Sequence, residues 1–141
     1  MTIAYVDTSA LVAVAFGETE APAVAQRLNA WTVIMSSKLL EAELRSAYSR
    51  KGRRFEADRI ARIEWIMPNQ PLSPEIAAVL DAGHVRGADL WHLATALHVA
   101  PDPGELSFVT LDRKQGATAD RLMATRSFNL SLLCQKECAN E

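Results

Sequence analysis

The chain has 141 residues, 49% hydrophobic and 23% charged, which is ordinary globular usage and excludes a disordered or low-complexity class. That length suits one domain able to bury a core without disulfide support. A formal net charge of −2 excludes a protein that coats nucleic acid by bulk positive charge.

In chain order, residues 3–6 form an apolar run that predicts a buried strand, and Asp7-Thr8-Ser9 starts a helix over residues 10–16. Gly17 ends that helix, and residues 20–31 predict a second. Residues 32–35 predict a short strand, after which Ser36 or Ser37 caps a helix running to about Lys51. Gly52 interrupts the pattern before another amphipathic helix over residues 55–67. Residues 68–71 read as a turn. Ser73-Pro74-Glu75 then opens a helix to about Val85, with proline where a helix tolerates its missing N–H. Residues 88–100 are helical, 101–104 a loop, 107–111 a strand, 113–125 a poorer helix and 129–133 a last short strand. One domain is expected over residues 1–134, with 135–141 a polar tail that frays.

Short strands alternating with helices predict an α/β fold, a parallel sheet covered on both faces in three α/β/α layers. No apolar stretch reaches the roughly 18 residues of a membrane helix, and the N-terminus has no signal-peptide pattern. Cys134 and Cys138 make neither a disulfide framework nor a zinc signature. A soluble, cytoplasmic protein with reduced thiols is expected.

In such sheets ligands bind beyond the carboxyl ends of the strands, which draws attention to acids placed there. Asp7 follows the first strand and Asp112 the strand over 107–111. Asp89 opens a helix four residues before Leu93, on its inner stripe. Each aspartate alone has an ordinary explanation as a helix N-cap, contributing about 1 kcal/mol. Glu43 does not. It lies mid-helix on the face defined by Leu39, Leu40, Leu44, Ala47 and Tyr48, with no basic helical neighbour. Glu41, by contrast, has Arg45 four residues on and reads as a surface ion pair. Burying an unpaired carboxylate is strongly unfavourable, so Glu43 needs a distant arginine or a metal ion. A hard divalent cation such as Mg²⁺, which takes oxygen ligands, explains all four acids together and suits phosphodiester hydrolysis. P-loop, G-x-G-x-x-G and G-x-S-x-G patterns are lacking.

Four segments, Val6-Asp7-Thr8-Ser9-Ala10-Leu11, Glu43-Leu44-Arg45-Ser46-Ala47, residues 88–97 (Ala-Asp-Leu-Trp-His-Leu-Ala-Thr-Ala-Leu) and Phe108-Val109-Thr110-Leu111-Asp112-Arg113, together resemble the PIN-domain ribonucleases. Within that family the pattern is most similar to the VapC-type toxins of bacterial toxin–antitoxin pairs. The resemblance runs through nearly the whole chain. It implies a PIN-like domain with a short central parallel sheet and a helical arm. It also implies that Asp7, Glu43, Asp89 and Asp112 hold Mg²⁺, with Mn²⁺ as the alternative, and hydrolyse RNA such as tRNA or rRNA to leave a 3′-hydroxyl. By the same resemblance Asp7 and Asp89 are the direct metal ligands, Glu43 and Asp112 complete the site, and Thr8, Ser9 and Thr110 orient the acids or reach the phosphate. A homodimer and a cognate antitoxin whose C-terminal segment blocks the acids are implied partners. Two departures stand out. Gln115 and Gly116 replace the family's apolar, helix-forming residues, which predicts loose support under Asp112, and residues 122–129 lack a customary glycine turn.

Seven of the fifteen basic residues (Arg45, Arg50, Lys51, Arg53, Arg54, Arg59 and Arg62) straddle Gly52 and predict a helix–turn–helix arm. A solvated face explains such charge, with Glu56, Asp58 and Glu64 compensating in part. Phosphate contact by Arg50, Lys51, Arg53 and Arg54 is the functional alternative. His92 reads as a packed or hydrogen-bonded histidine, and Trp31, Trp65 and Trp91 as packing or interface residues. Two competing classes remain. A non-catalytic RNA- or protein-binding module would need no metal, and a phosphotransfer domain using Asp7 as nucleophile would want a lysine the sequence does not place.

Overall fold

The computed structural model describes residues 3–100, 102, 106–122 and 128–129. Its elements run β1 (Ile3–Val6), α1 (Thr8–Ala15), α2 (Ala21–Ala30), β2 (Val33–Ser37), α3 (Leu39–Arg50), a 3₁₀ turn (Ala57–Arg59), β3 (Ile63–Ile66), α4 (Ser73–Ala82), α5 (Gly87–Val99), β4 (Leu106–Thr110), α6 (Arg113–Leu122) and β5 (Phe128–Asn129). Five strands form one parallel sheet in the order β3-β2-β1-β4-β5. At its centre Tyr5 lies opposite Met35 of β2 and Phe108 of β4.

A central parallel strand is buried on both faces, and β1 is apolar throughout for that reason. Ala4 and Val6 enter one core with Ala10, Leu11, Val24, Leu40, Leu44 and Tyr48. Tyr5 enters the opposite core with Val79, Leu93, Ala96 and Phe108, stacking on the Phe108 ring at 5.3 Å. Helices α1–α3 therefore cover one face and α4–α6 the other, giving the three layers that the alternation predicts.

The helix expected over residues 55–67 does not form, and half of the helical arm is lost with it. Ile60, Ile63 and Ile66 recur every third residue, a spacing that fits a helix or an extended strand. Pairing decides: β2 needs partners for its outer N–H and C=O groups, and Ile63–Ile66 supplies them in register with Ile34–Ser37. The arm is α3 alone, ended by Gly52 at φ +63°, where a side chain would be strained.

Ser36 and Ser37 belong to β2, and the residue before α3 is Lys38. Ser37 still accepts the Leu39 N–H at 3.1 Å, so it satisfies a free donor at the helix start from one residue further back. Helix α5 begins at Gly87, which makes Asp89 its third residue, half-buried rather than turned into the core. Helix α6 does form, with Gln115 and Gly116 both buried. The tail, Cys134, Cys138, most of the last expected strand and most of the segment 122–129 lie outside the described residues. Among the described residues, no helix is long and apolar enough to cross a membrane.

Candidate active site

The chain winds outward from β1 to β2 and β3, then returns to place β4 on the other side of β1. That reversal opens a crevice at the carboxyl ends of β1 and β4. The structure brings Asp7, Thr8, Ser9, Thr110 and Asp112 to this edge, with Glu43 and Asp89 reaching it from α3 and α5.

Asp7 is the innermost acid, 3% exposed. It precedes α1 in extended conformation, yet its carboxylate closes no cap bond. Instead Ser9 Oγ donates to Oδ1 at 2.7 Å, and Thr110 Oγ1 stands 2.9 Å from Oδ2. Ser9 Oγ also accepts the Leu111 N–H at 2.9 Å, and Thr110 Oγ1 accepts the Asp112 N–H at 3.0 Å. These two hydroxyls therefore tie β1, α1 and the end of β4 around one carboxylate. Burial pushes the Asp7 pKa up to about 6, against the opposing pull of Ser9, His92, Thr110 and the nearby Ala10 amide.

Glu43 finds its partner across the sheet in His92 of α5. The imidazole Nε2 lies 2.8 Å from Glu43 Oε1, and Thr8 Oγ1 donates to the same oxygen at 2.8 Å. Burial raises the Glu43 pKa, but His92 and Thr8 together outweigh it and hold the group below its usual value. His92 is buried, and its Nδ1 lies 2.7 Å from the Tyr5 hydroxyl. The Tyr5 oxygen already accepts the Ser37 N–H at 3.2 Å. An ionised Glu43 only accepts, so the Nε2 proton is directed at it, and Nδ1 shares a hydrogen bond with the Tyr5 hydroxyl.

Asp112 accepts the Gln115 N–H on Oδ1 at 2.8 Å and so caps α6. The buried Gln115 side chain lies 2.8 Å from Thr110 Oγ1 and reaches the Asp89 carbonyl at 3.4 Å. The departure at Gln115 thus anchors the start of α6, and the expected loose support under Asp112 is not observed. Burial, then the neighbouring Asp112 charge, raises the Asp89 pKa. Both acids line a cleft of about 410 Å³ with His84, Val85, Arg86 and Lys114.

The PIN-domain family model matches residues 4–121. The chain belongs to the PIN-domain family. The PIN fold aligns with VapBC-1 from nontypeable Haemophilus influenzae at TM-score 0.61 and 15% identity, covering 92% of this chain and 99% of that one. It aligns with PAE2754 from Pyrobaculum aerophilum at TM-score 0.53 and 20% identity, covering 98% and 96%. No curated protein sequence matches the chain.

In this PIN domain the acids offer hard oxygen donors, and Asp7 is a buried carboxylate whose charge no lysine or arginine meets among the described residues. Among the described residues, no three His, Cys, Asp or Glu side chains converge as a ready-made metal cage. Mg²⁺ typically takes one or two carboxylates and fills its shell with water, a requirement this set fits.

The basic stretch lies elsewhere on the PIN domain. Lys51 covers the Phe16 ring at 4.6 Å and Arg53 does so at 5.3 Å, just beyond the end of α1 opposite Asp7. Arg45 covers Phe55, Arg53 and Arg59 pair with Glu56, and Arg62 donates to the Leu28 and Trp31 carbonyls. Trp91 donates to Ser37 Oγ at 3.0 Å, and Trp65 lies under Lys38. Sequence reasoning missed Tyr5, took Gln115 for a weakness under Asp112, and never singled out Arg86 and Lys114. Tyr5 carried one signal: a tyrosine buried in a central strand needs a partner for its hydroxyl.

Proposed function

We propose that this PIN domain is a metal-dependent ribonuclease, the VapC-type toxin of a toxin–antitoxin pair, hydrolysing phosphodiester bonds of cellular RNA such as tRNA or rRNA in the cytoplasm. The observation that carries the reading is Asp7: a carboxylate buried at the sheet's reversal point, held by two hydroxyls and met by no lysine or arginine among the described residues. Asp89 and Asp112 add negative charge in the adjoining cleft. Likeness to the VapBC-1 structure over nearly the full chain supports the toxin assignment.

In this reading Asp7 and Asp89 hold Mg²⁺ or Mn²⁺, and Glu43 and Asp112 complete the catalytic set. Such an ion, when bound, stabilises charge gathering on a phosphodiester and makes water a better nucleophile. The chain's own residues do the positioning. Ser9 and Thr110 fix both Asp7 oxygens, Thr8 and His92 fix Glu43, and Gln115 braces the α6 start that carries Asp112. A second copy of the chain and an antitoxin segment laid over the acids are the proposed protein partners. Arg50, Lys51, Arg53 and Arg54 are proposed to contact the RNA backbone away from the acids.

Induced expression of wild type beside Asp7→Asn, followed by RNA cleavage assays on the purified chains, tests the reading. Wild type is expected to arrest growth and to cut RNA with Mg²⁺ or Mn²⁺ but not with EDTA, whereas Asp7→Asn does neither. Growth arrest by both would mean sequestration by binding, and the catalytic reading would fall.

A further inference from the structure

Arg86 and Lys114 line the cleft that also holds Asp89 and Asp112, yet neither closes an ion pair with them or with any other described carboxylate. Both side chains are exposed. Their backbones are fixed from either side: Arg86 is the extended residue that starts α5, and Lys114 lies in the first turn of α6, which Asp112 caps. Each cation therefore stands a few residues from one of the two acids, Arg86 before Asp89 and Lys114 after Asp112.

Several other cations among the described residues are engaged, though Arg50, Arg54 and Arg113 also close no ion pair. Lys38 and Arg45 meet Glu41, Arg53 and Arg59 meet Glu56, and Arg62 binds backbone carbonyls. Two unpaired cations beside two carboxylates suit an anionic chain passing over the cleft. The acids repel its phosphates, and the flanking phosphates then need fixed positive charge on either side. Arginine can grip one phosphate with two N–H groups, while lysine acts as a point charge on another.

We propose that Arg86 and Lys114 form a two-sided clamp for the single-stranded RNA backbone, gripping phosphates on either side of the bond presented to Asp89 and Asp112. This deepens the ribonuclease reading and rests on it. The two residues are positioning residues: they hold the strand and touch no reacting atom.

The test is fluorescence anisotropy of a labelled single-stranded RNA titrated with the full chain in EDTA, repeated across KCl concentrations. Arg86→Gln and Lys114→Gln are each expected to weaken binding about tenfold and to lower the log–log salt slope by about 0.7. Arg86→Lys and Lys114→Arg should keep the slope, which separates lost charge from damaged folding. Arg113→Gln, beside Lys114 but outside the cleft lining, should change neither quantity. With Mg²⁺, the two glutamine variants should raise KM and leave kcat nearly unchanged. Wild-type binding that survives both substitutions overturns the clamp and leaves the nuclease reading standing. An equal loss in Arg113→Gln overturns it in favour of bulk charge, and a wild-type chain that binds no RNA removes the nuclease reading as well.

Discussion

Asp7 places a negative charge where the fold alone does not welcome it, and that has a measurable sign. Between the ordinary carboxyl value of 3.8 and the folded value of about 6, the native state holds a proton that the unfolded chain has released. Stability therefore falls as pH rises through that window and stays low above it, by about 3 kcal/mol for a displacement of this size. Asp7→Asn removes the charge and leaves an amide that the Ser9 and Thr110 hydroxyls can still bond. The variant should melt several degrees above wild type at pH 7 without metal, with the advantage gone below about pH 4. Added Mg²⁺ should raise the melting temperature of wild type alone. A variant that melts no higher than wild type at pH 7 would mean that Ser9, Thr110 and His92 already balance the charge. The neighbouring network makes a separate prediction. Tyr5→Phe strips the partner from His92 Nδ1 and the acceptor from the Ser37 N–H, both buried, which should cost about 1–3 kcal/mol. Thermal melts of the two chains check that cost, and a variant as stable as wild type would mean that neither buried bond contributes.

At the scale of elements, the end of α4 packs closely against the later turns of α6. A Cβ on Gly83 would lie 2.6 Å from Thr118 Oγ1 and 2.8 Å from the Arg121 guanidinium. The Gly83 backbone is extended, a conformation any residue adopts, so the obstacle is space and not strain. Gly83→Ala should lose about 1–3 kcal/mol through overpacking. Thr118→Ala in the same chain should recover most of it, because arginine can swing its tip aside while threonine cannot; calorimetric melts of the single and double variants decide the matter. Legibility from sequence follows the same physics. Strand β1 was readable as a continuous apolar run buried on both faces, and the helices because one buried face imposes a period. Strand β3 was not, since a three-residue recurrence of isoleucine serves either state and only the open edge of β2 selects one. Among site residues, Glu43 was conspicuous as an acid on an apolar face, and Asp7 as an acid at a strand end. Arg86 and Lys114 gave no such signal, because a basic residue near a helix start reads as solvated until the fold sets it beside two acids.

At the scale of the whole molecule, two separate groups of basic residues bear on RNA. Arg86 and Lys114 border the acids, while Lys51 and Arg53 cover Phe16 past the far end of α1. Helix α1 has eight residues, which at 1.5 Å each separates its ends by about 12 Å. A strand must extend at least that far past the cleft to meet the basic stretch, which a long or folded RNA does. On the nuclease reading, the paired substitution Arg50→Gln and Arg54→Gln should therefore act selectively by substrate length. It should raise KM for a long structured RNA and flatten its salt dependence by about one to two units of log–log slope. An oligonucleotide too short to extend past the cleft should be cut with unchanged kcat and KM. Equal losses on the short and long substrates would place the basic stretch against the cleft, and the proposed separation between the cutting edge and a distant gripping surface would be wrong.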